Sequence, residues 1–230
     1  MCMKYPGTVK EYVQGETYFL DGLFFAGDIM MNMICSLTGL GTSTIQNWVN
    51  RKFIKNPINK KYDKNQVARI LIMNCLRKVM MLEDIKTLLV YVNGDLIDES
   101  DDNIEDAELY KLLCEIVLEN KLTIDNVEKE VELAVKSKIG KNVNSDGQKR
   151  IITVLEVLCI AYLETIFRDV FEEKLVSVRN EVKPEGNYCA HIRNSVNFSK
   201  KATDKVEPKD KEKNKIGNQA PKKRGRPKKQ

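Results

Sequence analysis

A turn with two glycines, Thr38-Gly39-Leu40-Gly41, constrains the fold of this chain more than any other feature. Glycine adopts left-handed backbone angles that other residues resist, so the turn favours an abrupt reversal between two short helices. The first helix is predicted over residues 29–37, with Asp28 as its N-cap. Thr42 is placed to cap the second helix, because its hydroxyl can accept a hydrogen bond from a free backbone N–H. The segment therefore predicts a helix-turn-helix.

The second helix of this pair is predicted to have one apolar and one polar face. Ile45, Trp48 and Val49 follow i, i+3, i+4 spacing, so they should face the core. The remaining positions carry hydroxyl, amide and guanidinium groups, which can donate to phosphates or to base edges in a major groove. We predict that these side chains contact DNA, and they are Thr42, Ser43, Thr44, Gln46, Asn47, Asn50 and Arg51.

A basic loop follows the helix pair. No acidic residue occurs between Asp28 and Asp63, so this surface should be locally positive, as a polyanionic partner requires. The alternative is a helix pair with a solvated basic rim that binds nothing. The predicted backbone contacts are Lys52, Lys55, Lys60, Lys61 and Tyr62.

Two further helices are predicted after the loop. Asp63 and Gln66, three residues apart, resemble a capping box that opens the first of them. Its apolar residues recur at helical spacing as far as Val79, and a second amphipathic helix is predicted over residues 83–92.

These residues resemble two known families. The order LTGLGTSTIQNWVNRKFIKNP, then KKYDKNQVARILIMNCLRKVMMLEDIKTLL, resembles the DNA-binding head of the MerR regulators, which has a helix-turn-helix, a wing and a second helix pair. IQNWV, KKY, YVNGDLIDESDD and AELY resemble more closely the bacterial family called domain of unknown function DUF1836, itself taken to carry a MerR-like head. The resemblance runs from roughly Gly27 to Lys111 and implies a DNA-binding regulator.

Two features depart from the MerR pattern. The loop over residues 55–61 is shorter than a MerR wing. MerR recognition helices also place an Arg and an aromatic residue on the phosphates, where this chain has Gln46-Asn47-Trp48, and Trp48 is expected to pack inward.

An acidic run over residues 95–108 separates this region from the rest of the chain. A calcium loop starting at Asp98 would need Gly at its sixth position and Glu at its twelfth, and the chain has Asn103 and Leu109 there. We interpret the run as a solvated linker with helix-capping acids. The alternative is a docking surface that competes with DNA for the basic tail.

A helical bundle is predicted beyond the acidic run. Amphipathic patterns cover residues 109–119 and 124–139, and the most apolar segment runs from Ile151 to Val178. A membrane span would bury Glu156 and Glu164 without a counter-charge nearby in sequence, so we exclude it. A helix that is apolar nearly all round favours the centre of a bundle together with a homodimer interface.

The C-terminal tail carries most of the positive charge. Residues 200–230 contain 13 Lys/Arg and 4 Asp/Glu, a net charge of +9, whereas residues 1–199 contain 25 and 29, a net charge of −4. From Ser199 onward almost no apolar residue occurs, which predicts disorder.

This tail ends in a complete AT-hook-like core. Arg224 and Arg226 could lie along the floor of a narrow A·T minor groove, while Gly225 allows close approach of the backbone. Pro227 favours the extended geometry, and the flanking lysines contact phosphates. The alternative is a basic solubilising or localisation tail. The predicted hook residues are Lys222, Lys223, Arg224, Gly225, Arg226, Pro227, Lys228 and Lys229.

Other functional classes find little support in the sequence. The six cysteines form no CxxC pair, His191 is the only histidine, and no glycine-rich phosphate loop or nucleophile-and-base set occurs. We therefore expect no enzymatic activity, no metal and no cofactor. The N-terminus has no unbroken apolar core of the kind found in signal peptides, which favours a cytoplasmic, nucleoid-associated protein.

The sequence thus predicts an all-α chain with a winged helix-turn-helix (MerR-like) head, a helical bundle and a disordered basic tail. The function that this organisation favours is a DNA-binding transcriptional regulator with a preference for A·T-rich duplexes. Two alternatives remain open, a protein-interaction adaptor with a degenerate helix-turn-helix and an architectural nucleoid-associated protein. The predicted segments are a lead-in over residues 1–27, the head over 28–94, the bundle over 95–183 and the tail over 184–230.

Overall fold

The computed structural model describes residues 4–12, 18–98, 100, 102–119, 122–139 and 143–182. Within these residues the chain is mostly helical, with one two-stranded sheet, so the all-α prediction is confirmed at that level. The elements are α1 (Phe19–Leu23), β1 (Ile29–Met30), α2 (Met31–Thr38), α3 (Thr42–Asn50), β2 (Lys61–Tyr62), α4 (Lys64–Leu76), α5 (Leu82–Asn93), α6 (Asp106–Glu119), α7 (Val127–Lys138) and α8 (Ser145–Glu181).

The glycine turn separates α2 from α3 as predicted. Gly39 caps α2 in the left-handed conformation, with φ of 72°, and its N–H donates to the Cys35 carbonyl at 2.8 Å. Thr38 stabilises the turn from the inside, because its hydroxyl donates to the Ile34 carbonyl at 2.7 Å and accepts from the Leu40 N–H at 3.1 Å. The reversal is therefore fixed by hydrogen bonds on both sides of the glycine.

Both predicted N-caps of this helix pair are wrong by one or two residues. Met30, and not Asp28, is the N-cap of α2, because Ile29 and Met30 are held extended by pairing with β2. Gly41 is the N-cap of α3, with the extended backbone that an N-cap position requires, and Thr42 is the first helical residue.

α4 is the central helix of the molecule. The predicted capping box is present, since the Gln66 N–H donates to Asp63 Oδ1 at 2.8 Å and the Asp63 N–H donates to Gln66 Oε1 at 2.9 Å. The apolar spacing predicted burial of one face, but every residue from Gln66 to Leu76 is buried. The extra burial comes from elements that pack around α4 from distant parts of the sequence.

The N-terminal segment is one of those elements. Gly7 has φ of 68° and lies so close to α4 that an added Cβ would be 2.0 Å from the Leu71 carbonyl oxygen. The Tyr110 hydroxyl donates to the Pro6 carbonyl at 2.7 Å, and the Tyr162 hydroxyl donates to the Lys4 carbonyl at 3.0 Å. The described lead-in residues are therefore attached to α4, α6 and α8.

A buried ion pair joins α4 to α6. Arg69 Nε lies 2.6 Å from Asp106 Oδ2, both side chains are 4% exposed, and Arg69 also donates to the Leu96 carbonyl. Asp106 belongs to the acidic run that was expected to be solvated, so for this residue the prediction is wrong. Its burial is possible because a guanidinium compensates the carboxylate charge.

The hydrophobic core forms one cluster from Tyr5 to Leu163, and it includes residues on both sides of the predicted head–bundle boundary at residue 94. The described residues as far as Ser177 form one compact unit. In α8, positions such as Ile151 and Leu158 are buried, whereas Phe167 and Phe171 are 68% and 61% exposed. No helix of the described residues is long and apolar enough to cross a membrane.

The cysteines that lie among apolar residues behave as small core side chains. Cys75, Cys114 and Cys159 are buried, Cys35 is partly buried, and none of the four is in a disulfide. Burial raises the pKa of the Cys75 thiol to about 11 and that of Cys159 to about 12, because a thiolate would lose its hydration there.

Candidate nucleic-acid interface

α3 separates its apolar and polar residues as the sequence predicts. Ile45 is fully buried and Trp48 is 4% exposed, which confirms the inward position of the indole. The predicted DNA-contacting side chains lie on the solvent side. Thr42, Ser43, Gln46, Asn47, Asn50 and Arg51 are exposed, and Thr44 is half-buried.

The loop after α3 closes into a small hairpin that pairs with β1. Tyr62 pairs with Ile29 and Lys61 with Met30 in an antiparallel register, and Ile58 forms an isolated bridge with Lys61. Two backbone hydrogen bonds, Ile58 N–H to the Lys61 carbonyl at 3.1 Å and the reverse at 2.9 Å, close the turn. The hairpin therefore has a defined tip, although the loop is short.

The residues at the hairpin tip adopt backbone angles that most residues avoid. Asn59 and Lys60 have φ of 51° and 65°, the positive values at both central positions that a type I′ hairpin turn requires. Lys52, where the chain leaves α3, has φ of 60°. Left-handed non-glycine residues cost free energy and are enriched at functional sites, so these three residues are consistent with a functional role for the loop.

The predicted basic contacts differ in their availability. Lys52, Lys60 and Lys61 are exposed, and no acid in the described part of the chain forms an ion pair with any of them. Lys55 is half-buried at the edge of the same loop. Tyr62 is 2% exposed, and burial raises the pKa of its hydroxyl, so its ring belongs to the core and is not accessible to a bound duplex.

Arg51, at the C-terminal end of α3, is engaged within the protein. Its guanidinium forms an ion pair with Glu83 of α5 and lies 5.2 Å from the centre of the Phe53 ring. The side chains of Arg51 and Glu83 are 45% and 70% exposed, and solvent-exposed pairs of this kind contribute only about 0–1 kcal/mol. A phosphate could therefore replace the Glu83 carboxylate at little cost.

An open cleft of about 820 Å³ lies between the end of α3, the following loop, α5 and residues 94–97. Four of its lining residues are basic and one is acidic. The charged residues are Arg51, Lys52, Lys55, Lys86 and Asp95.

Lys86 is the residue of this surface that sequence reasoning missed. It is exposed on α5 and comes 35 positions after Arg51 in the chain, yet it lines the same cleft. The only sequence signal was its polar position in the amphipathic pattern of residues 83–92, and that signal is shared by every solvent-facing lysine of a helix.

Two further predictions concern the tail and metal binding. The AT-hook-like residues 222–229 lie outside the described residues. Among the described residues no group of three or more His, Cys, Asp or Glu is placed to hold a metal ion, and His191 is outside them.

Comparison with known protein families supports part of the resemblance. Residues 29–113 match the model of the family described as domain of unknown function DUF1836. The match begins at β1, includes the helix pair, the hairpin, α4 and α5, and ends within α6. No curated protein and no solved structure gives a match to the chain.

Proposed function

We propose that this chain is a DNA-binding transcriptional regulator whose α3 helix reads the major groove. The observation that carries the proposal is the outer face of α3, where hydroxyl, amide and guanidinium groups are exposed on a helix fixed by its buried Ile45 and Trp48. Amide side chains can hydrogen-bond adenine edges, and Ser and Thr hydroxyls can contact bases or phosphates. Gln46 and Asn47 are the base-reading residues in this proposal.

Phosphate contacts come from the residues around α3. Lys52, Lys60 and Lys61 supply cations without an acidic partner among the described residues, and Arg51 exchanges Glu83 for a phosphate. Lys86 adds a contact from α5 through the shared cleft. These contacts fix the position of α3 on the duplex and give the affinity its dependence on salt.

The order of elements supports the proposal that the head is MerR-like. A strand, two helices, a hairpin and two more helices follow one another from β1 to α5, as in the MerR head that the sequence resembles. In this proposal the hairpin that ends at β2 acts as a short wing. The match of residues 29–113 to a family of unknown function is consistent with this but assigns no activity.

The AT-hook-like tail provides a second contact in this proposal. Arg224 and Arg226 bind an A·T-rich minor groove near the site of α3, which adds affinity because a tethered module has a high effective concentration. The proposal is argued from the sequence of the tail alone.

We also propose that the regulator is a homodimer. Ile160, Phe167 and Phe171 are exposed on α8 at 46%, 68% and 61%, and their spacing of seven and four residues keeps them on one side of the helix. A second copy that covers these side chains would remove them from water.

The test is a titration of A·T-rich and G·C-rich duplexes at two salt concentrations. It compares the full chain with a full-length variant carrying Arg224→Ala and Arg226→Ala. We expect the variant to lose most of the A·T preference and to keep measurable, salt-dependent binding through the head. If the variant binds neither duplex at the lower salt concentration, the head is not a DNA reader, and the protein-interaction adaptor becomes the better interpretation.

A further inference from the structure

The outer face of the small sheet carries an unusual row of side chains. Met30 and Ile58 both lie opposite Lys61 in the pairing register, one on each side of it. Met30 is 54% exposed and Ile58 is 74% exposed, whereas Ile29 and Tyr62, on the opposite face, are 4% and 2% exposed. The outer face therefore presents two apolar side chains with a cation between them.

The hairpin holds Ile58 rigidly at its tip. Both the N–H and the carbonyl of Ile58 are bonded to Lys61, and Asn59 and Lys60 complete the tight turn. Pro57 precedes Ile58 and fixes its own φ, and the β-branched side chain of Ile58 has few rotamers. A single exposed isoleucine is common, and Ile58 differs from most in being held on a closed turn with two left-handed residues.

The charge around the row indicates what it contacts. Lys60 and Lys61 are exposed next to Ile58, and residues 29–62 contain no acid. A second protein would need an apolar surface rimmed by acids to match this pattern. The DNA minor groove provides both features, because phosphates line its two edges and apolar side chains can insert between its base steps.

We propose that Ile58, supported by Met30, inserts into a DNA minor groove as an apolar wedge, while Lys60 and Lys61 contact the phosphates at its edges. Isoleucine and methionine are among the residues that such wedges use to open and kink a base step. This inference rests on the DNA-binding function proposed above. It adds a DNA-bending contact that depends on an apolar side chain.

The reach of the chain is compatible with this contact. Ile58 lies eight positions after Asn50, the last residue of α3, and eight residues would span at most about 28 Å if fully extended. Half a turn of B-DNA, which separates a major groove from the next minor groove on the same side, is about 17 Å. In the proposal, the hairpin tip enters the minor groove beside the groove that α3 occupies.

An apolar wedge and a lysine contact give different signatures. Loss of a lysine contact reduces the slope of log affinity against log salt by about one, because one fewer counterion is released. Loss of an apolar contact leaves that slope unchanged and lowers affinity equally at every salt concentration. The two contributions can therefore be measured separately on one protein.

The experiment uses the full-length chain with Arg224→Ala and Arg226→Ala, so that the tail does not mask the head. Affinity and salt slope are measured on an A·T-rich duplex containing TA steps, which kink easily. Bending is measured by energy transfer between dyes at the two duplex ends. For Ile58→Ser we expect about tenfold weaker binding, an unchanged salt slope and less bending.

Three further variants serve as controls. Ile124→Ser removes an isoleucine that is 64% exposed outside the head, and we expect unchanged binding and bending. Ile58→Val keeps an apolar β-branched side chain at the tip and should retain most of the affinity and the bend. Lys60→Gln should lower the salt slope without removing the bend.

The outcomes separate the wedge from the DNA-binding function. If Ile58→Ser binds and bends DNA like its parent while Lys60→Gln lowers the salt slope, the wedge is wrong and the DNA-binding function stands. If neither substitution changes binding, both proposals are wrong for this surface. If Ile58→Ser leaves DNA binding unchanged but dissociates a dimer in sedimentation experiments, the row contacts a second copy of the chain and the wedge is also wrong.

Discussion

α3 and α4 lie in the same part of the fold and both carry polar residues, but the two helices use them differently. On α4, Gln66, Arg69 and Asn74 are buried, and each is bonded to another element of the chain. On α3, Gln46 and Asn47 are exposed on the outer face. Polar residues in a helix therefore indicate a binding surface only when the fold leaves their hydrogen-bonding capacity unused.

The buried polar residues of α4 connect segments that are distant in sequence. Asn74 Nδ2 donates to the Gly7 carbonyl at 2.7 Å and to the Thr38 carbonyl at 3.1 Å, which joins the N-terminal segment to the end of α2. Gln66 Nε2 donates to the Lys55 carbonyl at 3.1 Å, which joins α4 to the loop before the hairpin. α4 thereby holds in place the parts that present α3.

The largest expected effect is at the buried ion pair. Arg69→Ala leaves the Asp106 carboxylate buried without its guanidinium, and breaking one side of such a pair costs about 3–5 kcal/mol. We expect a large fall in the free energy of unfolding, measured by chemical denaturation. The double substitution Arg69→Met with Asp106→Leu removes both charges and should recover much of the loss. If Arg69→Ala unfolds at the same denaturant concentration as the parent, the Arg69–Asp106 pair does not stabilise the packing of α4 on α6.

A matched pair of asparagines gives the sharpest comparison of the two helices. Asn74→Ala leaves one buried and one part-buried carbonyl without their donor and should cost about 1–3 kcal/mol of stability. Asn47→Ala removes an exposed amide, so stability should change by less than about 0.5 kcal/mol while DNA affinity falls. Thermal unfolding and duplex titration are measured on both proteins. Equal stability losses for the two variants would contradict the contrast between the helices.

Because of the raised pKa of the Cys75 thiol, we expect the free energy of unfolding to fall at alkaline pH. Its pKa is raised to about 11 in the folded protein, so between about pH 8.5 and 11 the unfolded chain loses this proton while the folded chain keeps it. Stability should therefore be intact below about pH 8 and fall as the pH rises through that window. Cys75→Ala should reduce the slope of unfolding free energy against pH between pH 8.5 and 10.5. An unchanged slope would mean that the thiol does not titrate differently in the two states.

The smallest expected effect is at the exposed lysine of the hairpin turn. Lys60→Gln should leave stability unchanged and lower the salt slope of DNA binding by about one. Lys111→Gln is the control. It removes a lysine of α6, whose Nζ lies 5.8 Å from the centre of the Tyr18 ring, and it should leave the slope unchanged. Equal salt slopes for the parent, Lys60→Gln and Lys111→Gln would exclude Lys60 as a phosphate contact.

Local features of the structure could be predicted from the sequence. The glycine turn, the inward position of Trp48 and the capping box at Asp63 depend on residues within a few positions of one another. The polar face of α3 follows from helical periodicity in the same way.

Features that depend on distant partners could not be predicted. The strand at Ile29–Met30 exists because it pairs with residues more than 30 positions away, so a helix was predicted there. The burial of Asp106 depends on Arg69, 37 residues earlier. Lys86 lies at the candidate interface because α5 packs beside the end of α3, and the sequence does not show that packing.

The central claim is that the outer face of α3 reads DNA sequence, and a selection experiment tests it most directly. The full-length chain with Arg224→Ala and Arg226→Ala is incubated with a random duplex library, and the bound DNA is sequenced. We predict an enriched motif, and we predict that Gln46→Ala with Asn47→Ala in the same protein removes the preference at specific positions of that motif. An absence of enrichment, or an identical motif after the double substitution, would contradict the claim.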